Sequence, residues 1–139
     1  MRVKEALKES EEMLKEAQRI GKIGHWVYNV HTSQGVWSEQ VFHLFERNPC
    51  LAPPSYDEMI SYYCHEDAEV LRHHIHHAIK TGAQLQMDAG IILPSGKSAY
   101  HSIIIKPIQN HHSTAVKLTG IVQDITERKE IEKALREKE

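Results

Sequence analysis

Apolar and small residues recur every three or four positions between residues 3 and 20, with charged residues on either side. The members of this stripe are Val3, Ala6, Leu7, Ser10, Met13, Leu14, Ala17 and Ile20. Such spacing predicts an amphipathic helix. Two interpretations stay open: the helix packs on its own domain, or it pairs with a second copy. Two heptads are fewer than a coiled-coil assignment needs.

Shorter patterns of alternating type fill the middle of the chain. Residues 24–30 and 36–37 have strand composition, and Ser38 is placed to cap a helix over residues 39–46. Ser55 or Asp57 begins a short helix. The longest internal helix covers residues 68–81, with the sequence His-Glu-Asp before it and glycine at position 82 as its C-cap.

Three strands are predicted after this helix, at residues 85–93, 99–108 and 117–125. Residues 94–97 and 110–114 have turn composition. The order is therefore two strands, several helices and three hairpin-connected strands. This order favours an α+β fold, with an antiparallel sheet and helices on one face.

The last strand passes directly into a helix. Leu118, Gly120 and Val122 share one face at period two, and Asp124 and Thr126 are both good helix caps. Glu127 follows Asp124 at the spacing of a capping box. A rigid joint of this kind can convert a change in the core into movement of whatever follows, so we assign Asp124 and Thr126 to a signal joint.

Composition narrows the function. With 139 residues, 40% of them hydrophobic, the chain can bury one ordinary core. A formal net charge of -2 argues against nucleic acid as a partner. The first 18 residues do not form a signal peptide, and no apolar run approaches the roughly 20 residues of a membrane span. Cys50 and Cys64 lack zinc spacing, which favours a reduced, cytoplasmic setting.

No catalytic constellation is found in the sequence, and no metal site is predicted. His65, Glu66 and Asp67 could suggest acid–base chemistry, but at a helix start a capping role is the simpler interpretation. His73 and His77 lie one turn apart and could bind a transition metal weakly. Helical geometry instead places them on a solvated polar face.

Five motifs occur in an order that resembles the PAS domain family. They are Ile23-Gly24-His25-Trp26, Val36-Trp37-Ser38-Glu39, His65-Glu66-Asp67, Leu93-Pro94-Ser95-Gly96-Lys97, and the segment 120–129 with its Asp-Ile-Thr. The resemblance covers residues 20–129. It implies a five-stranded antiparallel sheet crossed by short helices. It also implies a PAS domain at 21–126, an N-terminal dimerisation helix at 1–20 and a signalling helix at 127–139.

The resemblance also identifies a hypothetical ligand pocket. Ala89 and Gly90 stand where relatives carry tyrosine and arginine, and Tyr100 stands where tryptophan is common. Small side chains here could leave room for a ligand, or neighbouring isoleucines could fill the space. The pocket would be lined by Phe45, Met59, Leu71, Ile75, Met87, Ala89 and Tyr100.

Cofactors of the family are weighed against the same residues. Some PAS domains bind haem through a histidine on the long helix, and His74 is the one sensible candidate for it here. Flavin photosensors carry an Asn-Cys-Arg motif that neither Cys50 nor Cys64 matches. No cofactor is therefore predicted, and the ligand is unknown.

The resemblance implies a non-enzymatic sensory module of a larger signalling protein, such as a histidine kinase or diguanylate cyclase. We expect a cytoplasmic homodimer formed through Leu7, Met13, Leu14 and Ile20, with a fused output domain and no membrane contact in this segment. Whether the parent protein is membrane-attached stays open. The alternatives are a haem-based redox or gas sensor and a ligand-free structural dimerisation module.

Overall fold

The structure, a computed structural model, describes residues 2–110 and 115–138. These residues form five helices and five strands. In chain order they are α1 (Arg2–Gly21), β1 (Ile23–Asn29), β2 (Gln34–Trp37), α2 (Glu39–Leu44), α3 (Tyr56–Ser61), α4 (His65–Thr81), β3 (Leu85–Ile92), β4 (Ser98–Gln109), β5 (Ala115–Asp124) and α5 (Thr126–Lys138).

The strands form one antiparallel sheet in the order β2-β1-β5-β4-β3. The predicted α+β class and five-stranded antiparallel sheet are confirmed. Pairing of β1 with β5 sets Ile23 opposite Gln123. The end of α1 and the start of α5 therefore lie side by side. Of the predicted turn at 110–114, residues 111–114 fall outside the described residues.

One face of the sheet packs against α2, α3 and α4. The period-two pattern places Leu85, Ala89 and Ile91 of β3 in this core, as predicted. Trp26 of β1 lies directly over Gly120 of β5. A Cβ atom at position 120 would fall 2.1 Å from Trp26 Cε2, so only glycine leaves room for the indole. Gly120 thus allows the Trp26 side chain of β1 to pack across β5 in the core.

Local signals predicted some helix ends and not others. Ser55 caps α3, because its side chain accepts a hydrogen bond from the Glu58 N–H at 3.2 Å. Gly82 ends α4 with φ 77°, as expected of a C-cap. Ser38 was wrongly predicted to cap α2, since its Oγ accepts from the His25 N–H of β1 instead. That helix also ends two residues earlier than predicted, before Glu46 with its φ of 55°.

The start of α4 is anchored to an edge strand rather than capped by its own acidic residues. Asp67 Oδ2 accepts a hydrogen bond from the Gly90 N–H of β3 at 2.8 Å. The Cys64 N–H donates to the Gly90 carbonyl at 2.8 Å, and Tyr63 forms an isolated bridge with Ile91. The chain entering α4 thus covers part of the free edge of β3.

Among the described residues, the structure has no helix that is both long enough and apolar enough to cross a membrane.

Candidate functional site

Two of the seven predicted pocket residues line an internal cavity. Met59 of α3 and Ile75 of α4 face a void of about 30 Å³, roughly the space of one water molecule. Its other walls include Trp26, Trp37, Tyr28, Tyr56 and Leu118. The cavity lies between β1, β5 and the helices, further from β3 than the sequence predicted.

Four other predicted pocket residues pack in the core without facing this cavity. Phe45, Leu71 and Ala89 are buried, and Met87 is partly buried against them. Ala89 lies opposite His101 in the β3–β4 register, so the two side chains share the inner face. The space expected next to the small side chain of Ala89 is therefore bordered by the His101 imidazole. His101 was not among the predicted pocket residues.

Tyr100 was wrongly assigned to the pocket. It lies between Ala99 and His101, which both face the core, and its own side chain is 43% exposed on the opposite face. Successive residues of a strand point to opposite sides of the sheet, so the Tyr100 side chain lies on the face away from the core that Ala89 faces.

A surface groove of about 550 Å³ opens above the cavity. Tyr28, Tyr56, Ile75 and Leu118 line both spaces, so the cavity forms the floor of the groove. Four polar residues of α4 also border the groove: Glu69, Arg72, His73 and His76. It offers an apolar base and a polar rim, as small-molecule sites commonly do.

Arg72 is held at the rim by two contacts. Its Nη1 lies 3.0 Å from Asp57 Oδ1, and its guanidinium carbon lies 5.8 Å from the centre of the Tyr56 ring. The Asp57 side chain is 82% exposed, so this ion pair is well solvated. A solvated pair of this kind contributes little stability and can exchange partners readily.

His101 is the buried polar side chain of the core among the described residues, with 1% of its surface exposed. Its Nδ1 lies 3.0 Å from the Tyr63 hydroxyl, while Nε2 has no hydrogen-bond partner. The Phe45 ring packs edge-on to the imidazole with ring centres 5.2 Å apart. The strand periodicity could have found this residue, because position 101 alternates with Ala99 and Ile103.

Burial controls the protonation of this pair. It lowers the pKa of the His101 imidazole from 6.5 to about 4, and the negative charge of Asp124 offsets this only in part. Burial also raises the pKa of the Tyr63 phenol. Both groups are therefore neutral near pH 7. The core holds one polar pair that could respond to a change in hydration, charge or packing.

The joint at the end of β5 is built by Asp124, Thr126 and the backbone of Tyr100. Asp124 Oδ1 accepts from the Thr126 N–H at 2.9 Å, two residues on, and not from Glu127 as a capping box requires. Thr126 Oγ1 accepts from the Tyr100 N–H at 3.0 Å, and the Ile125 N–H donates to the Tyr100 carbonyl at 2.9 Å. Thr126 thus attaches α5 to β4 rather than capping it.

The electrostatics of the joint involve the buried histidine. Partial burial by itself would raise the pKa of Asp124. Hydrogen bonds from Thr126, with the nearby His101 and the charge of Lys22, instead lower it below its ordinary value. His101 and Asp124 are also direct partners in the β4–β5 register. The polar pair of the core and the first residues of α5 are therefore neighbours.

The end of α1 is hydrogen-bonded to the end of β5, just before α5 begins. The Asp124 N–H donates to the Lys22 carbonyl at 3.0 Å, and Gln123 Nε2 donates to the Gly21 carbonyl at 3.3 Å. None of the residues of α1 is buried. The predicted dimer residues are all exposed, at 60% for Leu7, 73% for Met13, 58% for Leu14 and 69% for Ile20.

Solved structures identify the architecture. A sensory box histidine kinase/response regulator from Burkholderia thailandensis superposes with a TM-score of 0.74 at 17% identity, covering 88% of this chain and 92% of that one. The N-terminal domain of a diguanylate cyclase with PAS/PAC sensor from Marinobacter aquaeolei gives 0.67 at 15% identity, covering 76% and 97%. A PAS domain from Colwellia psychrerythraea gives 0.62 at 16% identity, covering 83% and 98%.

The chain has the PAS fold. No family model matches the sequence, and no curated protein shows significant similarity to it. The PAS fold was therefore recognisable from five short motifs in order, although overall sequence similarity to the solved structures is low.

The cofactor candidates of the PAS fold can now be placed. His74, weighed as a haem ligand, is exposed on α4 together with His73, His76 and His77. Cys50 and Cys64 are exposed free thiols. Among the described residues, no group of three or more histidine, cysteine or acidic side chains is arranged to hold a metal ion.

Proposed function

We propose that this chain is a non-enzymatic sensory module of a larger signalling protein that passes changes in its core to α5. The proposal rests on one observation. The buried Tyr63–His101 pair lies next to the Tyr100 backbone, which both Ile125 and Thr126 contact. A shift of His101 along β4 would move the anchor of α5.

The input side of this relay reaches the helices. Tyr63 precedes α4 and is bridged to the edge strand β3, while Phe45 follows α2 and packs on the imidazole. A molecule or proton that displaces these helices would disturb the hydrogen bond between Tyr63 and His101. Sensory modules of histidine kinases and diguanylate cyclases with this fold support the same role.

The output side would be a dimer. The exposed stripe of α1 would pair with the same stripe of a second copy. Lys22, which follows α1, accepts a hydrogen bond from the N–H of Asp124, the last residue of β5 before α5. Two copies joined through α1 would bring both α5 helices under a common constraint. An output domain fused after α5 would then respond to the angle at which the two helices leave the sheet.

The relay is tested by removing one hydroxyl. Tyr63→Phe deletes the partner of His101 Nδ1 and should speed amide hydrogen exchange in residues 127–138, because β4 and the anchor of α5 loosen together. Tyr62→Phe is the matched control, since its hydroxyl bonds Glu58 near the surface. Equal exchange in α5 for Tyr63→Phe and wild type would reject the relay.

A further inference from the structure

The groove above the cavity has a specific chemical character. Its base is apolar and aromatic, formed by Tyr28, Tyr56, Ile75 and Leu118, and it leads to the two tryptophans of the chain. Arg72 is the permanently charged cation on its rim. A volume of about 550 Å³ lies within the range of small-molecule sites.

We propose that this groove binds a small aromatic carboxylic acid, whose carboxylate pairs with Arg72 and whose ring covers Tyr56 and the mouth of the cavity. The inference rests on the proposed sensory function and names the class of molecule it senses. Guanidinium and carboxylate form charge-assisted, bidentate hydrogen bonds, which a single neutral acceptor cannot reproduce.

Arg72 is available for such a ligand. Its present partner, Asp57, lies outside the groove lining and is 82% exposed, so the carboxylate of a ligand can replace it at little cost. The opposing charge on the rim is Glu69, one turn before Arg72 on α4.

The apolar end of the ligand would reach the tryptophans. Trp26 and Trp37 line the cavity directly beneath Tyr28 and Tyr56. A ring that covers the mouth of this cavity would change the surroundings of the two indoles and shift their emission. Helices α3 and α4 form two sides of this space, so a bound ring would press on the same helices that hold Tyr63.

A matched acid and amide test the inference. 3-Phenylpropanoate and 3-phenylpropanamide differ at the carboxylate and do not absorb where tryptophan is excited. Titration of the whole protein should give a Kd on the order of 1 mM or tighter for the acid. The amide should bind about tenfold more weakly, the factor expected for about 1.4 kcal/mol of charge-assisted bonding.

Two variants at the rim give opposite signs. Arg72→Gln should weaken binding of the acid about tenfold and leave the amide unchanged. Asp57→Asn should tighten binding of the acid severalfold by releasing Arg72. Arg19→Gln, at an exposed ion pair on α1, is the control. Equal affinity of acid and amide, no binding at 10-fold above the expected Kd (about 10 mM), or no effect of Arg72→Gln would overturn the proposal.

The same titration separates this inference from the relay. If the acid binds and residues 127–138 keep their hydrogen exchange rates, the ligand class stands and the relay fails. If Tyr63→Phe alters exchange in α5 while the acid does not bind, the relay stands and the ligand class is wrong.

Discussion

His101 lies in an environment that an imidazole disfavours, because it is buried with no hydrogen-bond partner for Nε2. An imidazole with one unpaired nitrogen costs free energy in an apolar core, and such groups in native proteins call for an explanation. Here the explanation is positional: the ring connects Tyr63 of the helical layer to the strand that anchors α5. The unfavourable burial of this ring therefore occurs where the core contacts the joint between β5 and α5.

Stability should depend on pH through this residue. Burial lowers the pKa of His101 to about 4, whereas the unfolded chain binds the proton near 6.5. The unfolded state therefore holds more protons between these values, and stability falls as pH drops from about 6.5 to about 4. The shift corresponds to about 3 kcal/mol. Urea unfolding of wild type and His101→Phe across this window should show a shallower loss in the variant.

Two controls make the result specific. His74→Phe removes an exposed histidine and should keep the wild-type pH slope. The double change Tyr63→Phe, His101→Phe removes both polar partners, so it should fold better than His101→Phe alone while keeping the shallow slope. A wild-type slope in His101→Phe would contradict the assignment.

The joint between β5 and α5 is the element where local sequence and tertiary contacts combine. Asp124 supplies a local bond to the Thr126 N–H, which the first turn of a helix leaves unpaired. Thr126 supplies a long-range bond to β4. The helix is therefore held both by its own start and by a strand 26 residues earlier.

Asp124→Ala should fray α5 and leave the sheet folded. The loss of one capping acceptor costs about 0.5–2 kcal/mol locally. This is small beside folding, but an offset of about 1.4 kcal/mol changes a two-state ratio tenfold. Hydrogen exchange in residues 127–138 should accelerate, with β4 and β5 unaffected.

Asp124→Asn serves as the matched variant, because its amide oxygen can still accept from Thr126. It should resemble wild type in exchange. If Asp124→Ala also leaves exchange in α5 unchanged, the bonds of Ile125 and Thr126 to the Tyr100 backbone are enough to hold the helix.

At the scale of the whole molecule, α1 is the element that bears on the oligomeric state. Of the two interpretations left open by the heptad pattern, packing on its own domain involves contacts near the end of α1 with β1 and β5, and none of the residues of α1 is buried. A stripe of exposed leucine, isoleucine and methionine of this length is typical of an interaction surface. Pairing with a second copy stays a prediction.

Leu7→Glu with Leu14→Glu should convert a dimer to a monomer, because each places a charge in the proposed seam. Light scattering measures the mass directly. Ile131→Glu with Leu135→Glu is the matched control, since these α5 residues are 54% and 59% exposed and gain the same charge. A dimer that survives the α1 changes and dissociates with the α5 changes would move the interface to α5.

The helices and strands, and most of their order, follow from local patterns in the sequence. Period-two and period-3.6 patterns, with Ser55 and Gly82 at helix ends, depend on neighbours within a few residues. The contacts that carry the proposed function instead join residues that are far apart in the sequence. Tyr63 meets His101 across 38 residues, and Thr126 meets the Tyr100 backbone across 26.

Those partners are set by strand register, which places each side chain on one face and opposite one particular neighbour. Local composition cannot specify that register across several helices. For this reason the contacts of His101 and of the Tyr100 backbone could not be predicted. The faces on which the two residues lie could have been predicted, because they follow from the alternation along β4. The strand itself could be predicted from the sequence. Its partners depend on how the whole sheet assembles, including the packing of Trp26 on Gly120.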